Sequence, residues 1–171
     1  MHELDLLAAL DVFSGVPRAD LHRLATLAPP TRFPADAPLF REGEEAEMSL
    51  LLLSGRVEAS IGEGKNARVI GTAGPGEIVG EQGLLGTGAR RNATVRTVEA
   101  CQCMILSPDL LRQARDNSAL VALERRLLAT LASRIRHSNA VVQDTWKATQ
   151  GSGSEAKISI RDRLRGLWGR R

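Results

Sequence analysis

Aromatic residues make up only 3% of this chain of 171 residues, and tyrosine is absent altogether. Any core must therefore be built mainly from Leu, Val, Ile and Ala. Cysteine is scarce as well: Cys101 and Cys103 are the whole complement. Two apart in a predicted strand, they share a face but lie too close along it for an ordinary disulfide. They read as small buried apolar residues. Histidine is limited to His2, His22 and His137, scattered along the sequence. No metal site is expected, which argues against a metal-dependent β-barrel enzyme or an iron–sulfur sensor. No apolar run approaches the roughly eighteen residues needed to span a bilayer. The start, Met1-His2-Glu3-Leu4-Asp5, lacks the basic stretch of a signal peptide. A cytoplasmic location is expected.

What remains is ordinary for a globular protein, with 43% apolar and 25% charged residues. The length suits one domain with appendages and can bury a real core. Charge divides the chain. Residues 157–171 hold six basic side chains against Asp162, a net +5, whereas the whole chain carries +3; the remainder is therefore net −2. The high isoelectric point belongs to the tail.

Three regions follow one another. From Leu4 to about Leu27, apolar residues three and four apart predict short helices, with Ser14-Gly15-Val16-Pro17 as a turn. From Thr31 to about Leu106, short strand patterns are broken by Gly, Pro and Asn, as a jelly-roll-like β barrel requires. After Ser107 helices return, with Pro108 suited to a first helical position. The fold class is thus α+β, mainly β: a barrel flanked by short N-terminal helices and a long C-terminal helix. That helix is predicted over about Ser118–Ala148, with a stripe of Leu120, Leu127, Leu131, Ile135, Ser138, Val142 and Trp146. The spacing suits a two-helix seam, although a helix lying on its own barrel would show it too. At Ser138 and Asn139 the stripe turns polar, which in a seam can set helix register.

The richest segment is Gly76-Glu77-Ile78-Val79-Gly80-Glu81-Gln82-Gly83-Leu84-Leu85, followed by Arg90-Arg91-Asn92-Ala93-Thr94-Val95. Glycines let backbone N–H groups approach an anion. Glu81 can accept hydrogen bonds from a sugar hydroxyl, and Arg91 can meet a phosphate through two parallel N–H bonds. This segment resembles the phosphate-binding cassette of cyclic-nucleotide-binding domains, the sensor module of catabolite-activator-type regulators and cyclic-nucleotide-gated channels. Two further stretches, Phe33 to Glu44 entering a turn at Gly43, and Leu50-Leu51-Leu52-Leu53-Ser54-Gly55-Arg56-Val57, resemble other signatures of that family. The resemblance covers roughly residues 8–145 and implies a receptor for cAMP or cGMP. It places Arg91 on the cyclic phosphate, with the Gly80 and Ala93 backbone N–H groups and the Asn92 amide beside it. Glu81 falls on the ribose 2′-hydroxyl, Ser138 and Asn139 on the purine, and the long helix becomes a homodimer interface. The family usually carries Ser or Thr where Asn92 stands, so the base preference stays open. A degenerate member serving as an interaction or membrane-recruitment module, without physiological nucleotide, is the alternative.

No Ser/His/Asp, Cys/His or paired-carboxylate arrangement points to catalysis, so no enzymatic activity is expected, and no cofactor beyond the nucleotide ligand. Residues 149–156 have a flexible linker composition. No winged-helix segment follows them, so no DNA binding is expected. The tail, 157–171, places Ile160, Leu164, Leu167 and Trp168 on one helical stripe edged with arginine. It reads as a helix docking a partner protein, a helix lying on an anionic membrane, or a solvated end. Gly166 weakens the helix, and at about twelve residues it would be marginal alone in water.

Overall fold

The computed structural model describes residues 3–84, 88–113 and 116–150. Two compact units divide after Ala129.

The first unit opens with α1 (Glu3–Ala8), a 3₁₀ turn at Asp11–Phe13 and α2 (Arg18–Leu27). Eight strands follow: β1 (Thr31–Phe33), β2 (Pro38–Phe40), β3 (Ser49–Ser54), β4 (Val57–Ile61), β5 (Arg68–Ala73), β6 (Ile78–Val79), β7 (Thr94–Thr97) and β8 (Cys101–Leu106). They form two antiparallel four-stranded sheets, ordered β1-β8-β3-β6 and β2-β7-β4-β5. This is the barrel the Gly-punctuated strand pattern predicts, and its outer limits, Thr31 and Leu106, agree with the sequence.

Side-chain alternation explains how the sheets join. Phe40, Leu50, Leu52, Val57, Val79, Val95, Cys101 and Cys103 form one buried cluster drawing on both sheets. Along β3 successive side chains point to opposite faces, so Leu51 and Leu53 lie on the face away from that cluster. They are buried too, and α1 lies against this strand. A strand covered on both faces needs an unbroken apolar run, which Leu50-Leu51-Leu52-Leu53 supplies. Each such side chain contributes about 1.5–3 kcal/mol. Cys101 and Cys103 are free and buried. Burial pushes the Cys103 thiol up to about 12, with Cys101 adding to it, so it carries no thiolate near neutral pH.

Helices close the unit. Ser107 caps α3 (Pro108–Arg112): its hydroxyl accepts from the Leu110 N–H at 3.1 Å, and Pro108 stands in the first turn. The start of α4 (Ser118–Gln150) is capped twice. Asn117 Oδ1 accepts from the N–H groups of Ala119 and Leu120, at 2.8 and 3.3 Å. The Asp20 carboxylate, on α2, accepts from the Ser118 N–H at 3.1 Å and from its hydroxyl, while Asn117 Nδ2 donates to the Asp20 carbonyl. In this unit Leu120 and Leu127 of the stripe are buried.

The second unit holds the rest of α4, which continues through Gln150 rather than ending at Ala148, so the first two residues of the predicted linker are helical. Here Ile135, Val142 and Trp146 are exposed, as are Ser138 and Asn139. Among the described residues no helix is long and apolar enough to cross a membrane. The tail, 157–171, lies outside the described residues.

Candidate functional site

Within the cassette, β6 ends at Val79 and the chain turns at Gly80. Gly80 has φ of +72°, a left-handed conformation that side chains rarely adopt. A Cβ there would also stand 2.6 Å from Arg91 Nη1 and 2.6 Å from Phe40 Cε2. The chain then makes a 3₁₀ turn over Glu81–Leu84. Gly83 in that turn passes so close to the preceding segment that a Cβ would meet the Met48 carbonyl oxygen at 2.3 Å. Gly80 is thus required by contact as well as by conformation, and Gly83 by contact.

Arg91 comes back to this turn from the other end of the cassette. Its backbone N–H donates to the Glu44 carbonyl and its own carbonyl accepts from the Gly43 N–H, both at 2.8 Å. That pairing fixes the arginine opposite the turn at Gly43. The side chain then runs inward, and only 5% of the residue remains exposed. Nη1 donates to the Gly80 carbonyl at 2.9 Å and Nη2 to the Met48 carbonyl at 2.7 Å. The guanidinium carbon lies 3.7 Å from the centroid of the Phe40 ring. The Gly80 carbonyl is a hub, accepting also from the Ser49 hydroxyl at 2.8 Å and from the Gly83 N–H at 3.0 Å.

Beside this cation stands a second buried charge. Glu81 is 4% exposed, and it directly follows the carbonyl that Arg91 holds. Burial lowers the pKa of Arg91 from its ordinary value, while the carboxylates of Glu44 and Glu81 raise it. Arginine stays charged within any such shift. Both of its side-chain hydrogen bonds go to carbonyls rather than to carboxylates. The carboxylates of Glu44 and Glu81 offset part of the cost of burying this cation, and a bound anion would add charge-assisted hydrogen bonds to it. Among the described residues the bonds to the two carbonyls use two of the five guanidinium N–H donors.

The structure therefore brings Gly80, Glu81 and Arg91 together. Asn92, exposed, and Ala93, half-buried, follow Arg91 and lead directly into β7. Arg90 is exposed, and its Nη1 donates to the Gly43 carbonyl at 2.8 Å. Ser138 and Asn139 belong to the second unit. Sequence reasoning missed Phe40, Met48 and Ser49 as parts of this arrangement. Ser49 left one trace: a polar residue directly before the apolar run Leu50–Leu53, here fully buried.

Known proteins share this framework. The chain is 25% identical over 142 residues to a CRP-like cAMP-activated global transcriptional regulator of Mycobacterium tuberculosis, covering 82% of this chain and 62% of that protein. It is 37% identical over 93 residues to the acetyltransferase Pat of Mycolicibacterium smegmatis, 54% of this chain and 28% of the enzyme. The catabolite activator protein of Thermus thermophilus superposes with a TM-score of 0.64 at 27% identity, over 77% of this chain and 61% of its own. The chain thus spans less than two thirds of the length of each. The model of the cyclic nucleotide-binding domain matches residues 30–118, more than half of the 171 residues and the whole of the barrel from β1 to the start of α4. The chain belongs to the cyclic nucleotide-binding domain family.

Proposed function

We propose that this protein is a receptor for a cyclic nucleotide, and that Arg91 holds the cyclic phosphate. One observation carries the reading: a guanidinium that is almost wholly buried, oriented by two carbonyls, next to the buried carboxylate of Glu81. The phosphate brings the negative charge, and Arg91 meets it with charge-assisted hydrogen bonds. The backbone N–H groups of Gly80 and Ala93 and the amide of Asn92 complete the cradle. Glu81 accepts from the ribose 2′-hydroxyl and so rejects deoxyribose analogues. Ser138 and Asn139 contact the purine from α4. The names of the Mycobacterium tuberculosis regulator and its kin support cAMP as the first ligand to test, with cGMP beside it.

In this reading the protein relays rather than catalyses. A pair of α4 helices forms a homodimer seam, to which the exposed Ile135, Val142 and Trp146 lend support. The tail, 157–171, passes the signal to a partner protein or an anionic membrane surface. The departure at Asn92 favours one competitor, an interaction module of the same fold that has lost nucleotide affinity. Calorimetric titration separates the two. Arg91→Ala should weaken binding by about 1.5–3 kcal/mol, roughly ten- to a hundredfold. Wild-type protein that gave no heat with either nucleotide would overturn the receptor reading.

A further inference from the structure

We infer that Phe40 is the positioning residue for Arg91: its ring fixes the guanidinium plane in the pose from which it meets the phosphate. The inference rests on the receptor reading above and adds to it a residue that touches no ligand atom in the assignment. Phe40 closes β2 and is paired with Val95 of β7. With only 4% of the residue exposed, it belongs to the cluster between the two sheets. The guanidinium carbon sits 3.7 Å from the ring centroid, well inside the range in which a cation is drawn to an aromatic face.

Three constraints meet on one planar group. The ring bounds its face, while the carbonyls of Gly80 and Met48 each accept a hydrogen bond from one terminal nitrogen. Gly80 is locked into the same set, because a Cβ there would strike both Arg91 Nη1 and Phe40 Cε2 at 2.6 Å. A long arginine left unsupported would lose several rotamers on binding a phosphate, and that lost freedom subtracts from affinity. Held beforehand, it keeps its remaining N–H donors aimed. An aliphatic residue fills core space equally well, but it offers no negative face to the cation. In a chain with three phenylalanines and no tyrosine, one of the few aromatic rings lies against this arginine.

The test uses the full chain with Phe40→Leu and with pentafluorophenylalanine at the same position, which keeps the ring shape and reverses its charge distribution. Two quantities are read: the NMR signal of the Arg91 Nε–H without ligand, and the affinity for cAMP and cGMP. Wild type should show that signal shifted by the ring current. Both variants should alter it and weaken binding roughly two- to thirtyfold, the span of a desolvated cation–aromatic contact. Combined with Arg91→Lys, Phe40→Leu should cost much less than it does alone, because the two act as one unit. Unchanged affinity with the fluorinated ring, or additive losses in the double variant, would overturn the inference. Should Phe40→Leu fail to fold, the fluorinated ring decides. Wild type that bound neither nucleotide would instead overturn the receptor reading, and the Arg91 signal would still decide whether Phe40 holds the guanidinium.

Discussion

At the scale of single residues, the proposed site depends on charge placed where water is nearly excluded. Arg91 and Glu81 are both buried, yet they serve different parts of one small ligand in the assignment made here. Their substitutions should therefore fail differently. Arg91→Ala removes the phosphate's charge partner and weakens every cyclic nucleotide alike. Glu81→Ala removes the acceptor for the 2′-hydroxyl, so affinity falls and the preference over 2′-deoxy analogues falls with it. Titrating both variants with cAMP and 2′-deoxy-cAMP checks this. Equal discrimination in wild type and Glu81→Ala would place the ribose elsewhere. Gly80 explains why the cassette tolerates no bulk at the turn after β6: its bare Cα leaves room for the guanidinium and the Phe40 ring together.

At the scale of elements, the start of α4 is tied to α2 through Asp20, Asn117 and Ser118. Hydrogen bonds from Ser118, first its hydroxyl and then its N–H, hold the Asp20 carboxyl below its ordinary pKa of 3.8. A depressed carboxylate stabilises the fold above its unfolded pKa, and that contribution disappears as pH falls through the lower, folded value. Urea unfolding midpoints of wild type and Asp20→Asn, followed from about pH 7 to about pH 3, should therefore converge only below about pH 4. Parallel curves would mean that the tie contributes nothing. Further along α4, Ser138→Ala with Asn139→Ala should weaken nucleotide binding and blunt ligand-dependent protection in hydrogen exchange over residues 118–148. A ligand shifts a helix only through its different affinity for the helix's two states. Identical exchange with and without nucleotide would rule out the proposed switch. The sequence made the strand region and the long helix legible, because periods of two and of three to four residues follow directly from burial on one face. It hid other parts of the site. Met48 acts through a carbonyl that any residue would provide, and Phe40 reads as one more apolar strand position. The Asp20–Ser118 tie joins residues 98 apart, and no local pattern encodes a partner at that distance.

At the scale of the whole molecule, the proposed function divides the chain into a nucleotide-sensing domain and an output segment. The charge division supports it, since net +5 lies in residues 157–171 and net −2 in the remainder. Deleting 157–171 should leave nucleotide affinity nearly unchanged while abolishing recruitment. Membrane attachment would need anionic lipid and fade with salt, because each arginine near such a surface contributes about 1 kcal/mol of screened attraction. Protein docking would depend instead on Leu164, Leu167 and Trp168, and Trp168→Ala would abolish it. Liposome co-sedimentation with and without anionic lipid, beside a pull-down with Trp168→Ala, distinguishes the two. A truncated chain that matched the full one in both assays would make the tail a solvated end. All of this rests on the sensor binding its ligand. The most direct test is isothermal calorimetry of the full chain with cAMP and with cGMP, wild type against Arg91→Ala. The account predicts saturable binding of at least one nucleotide, weakened roughly ten- to a hundredfold by the substitution; equal affinity in the two proteins, or no binding by wild type, would contradict it.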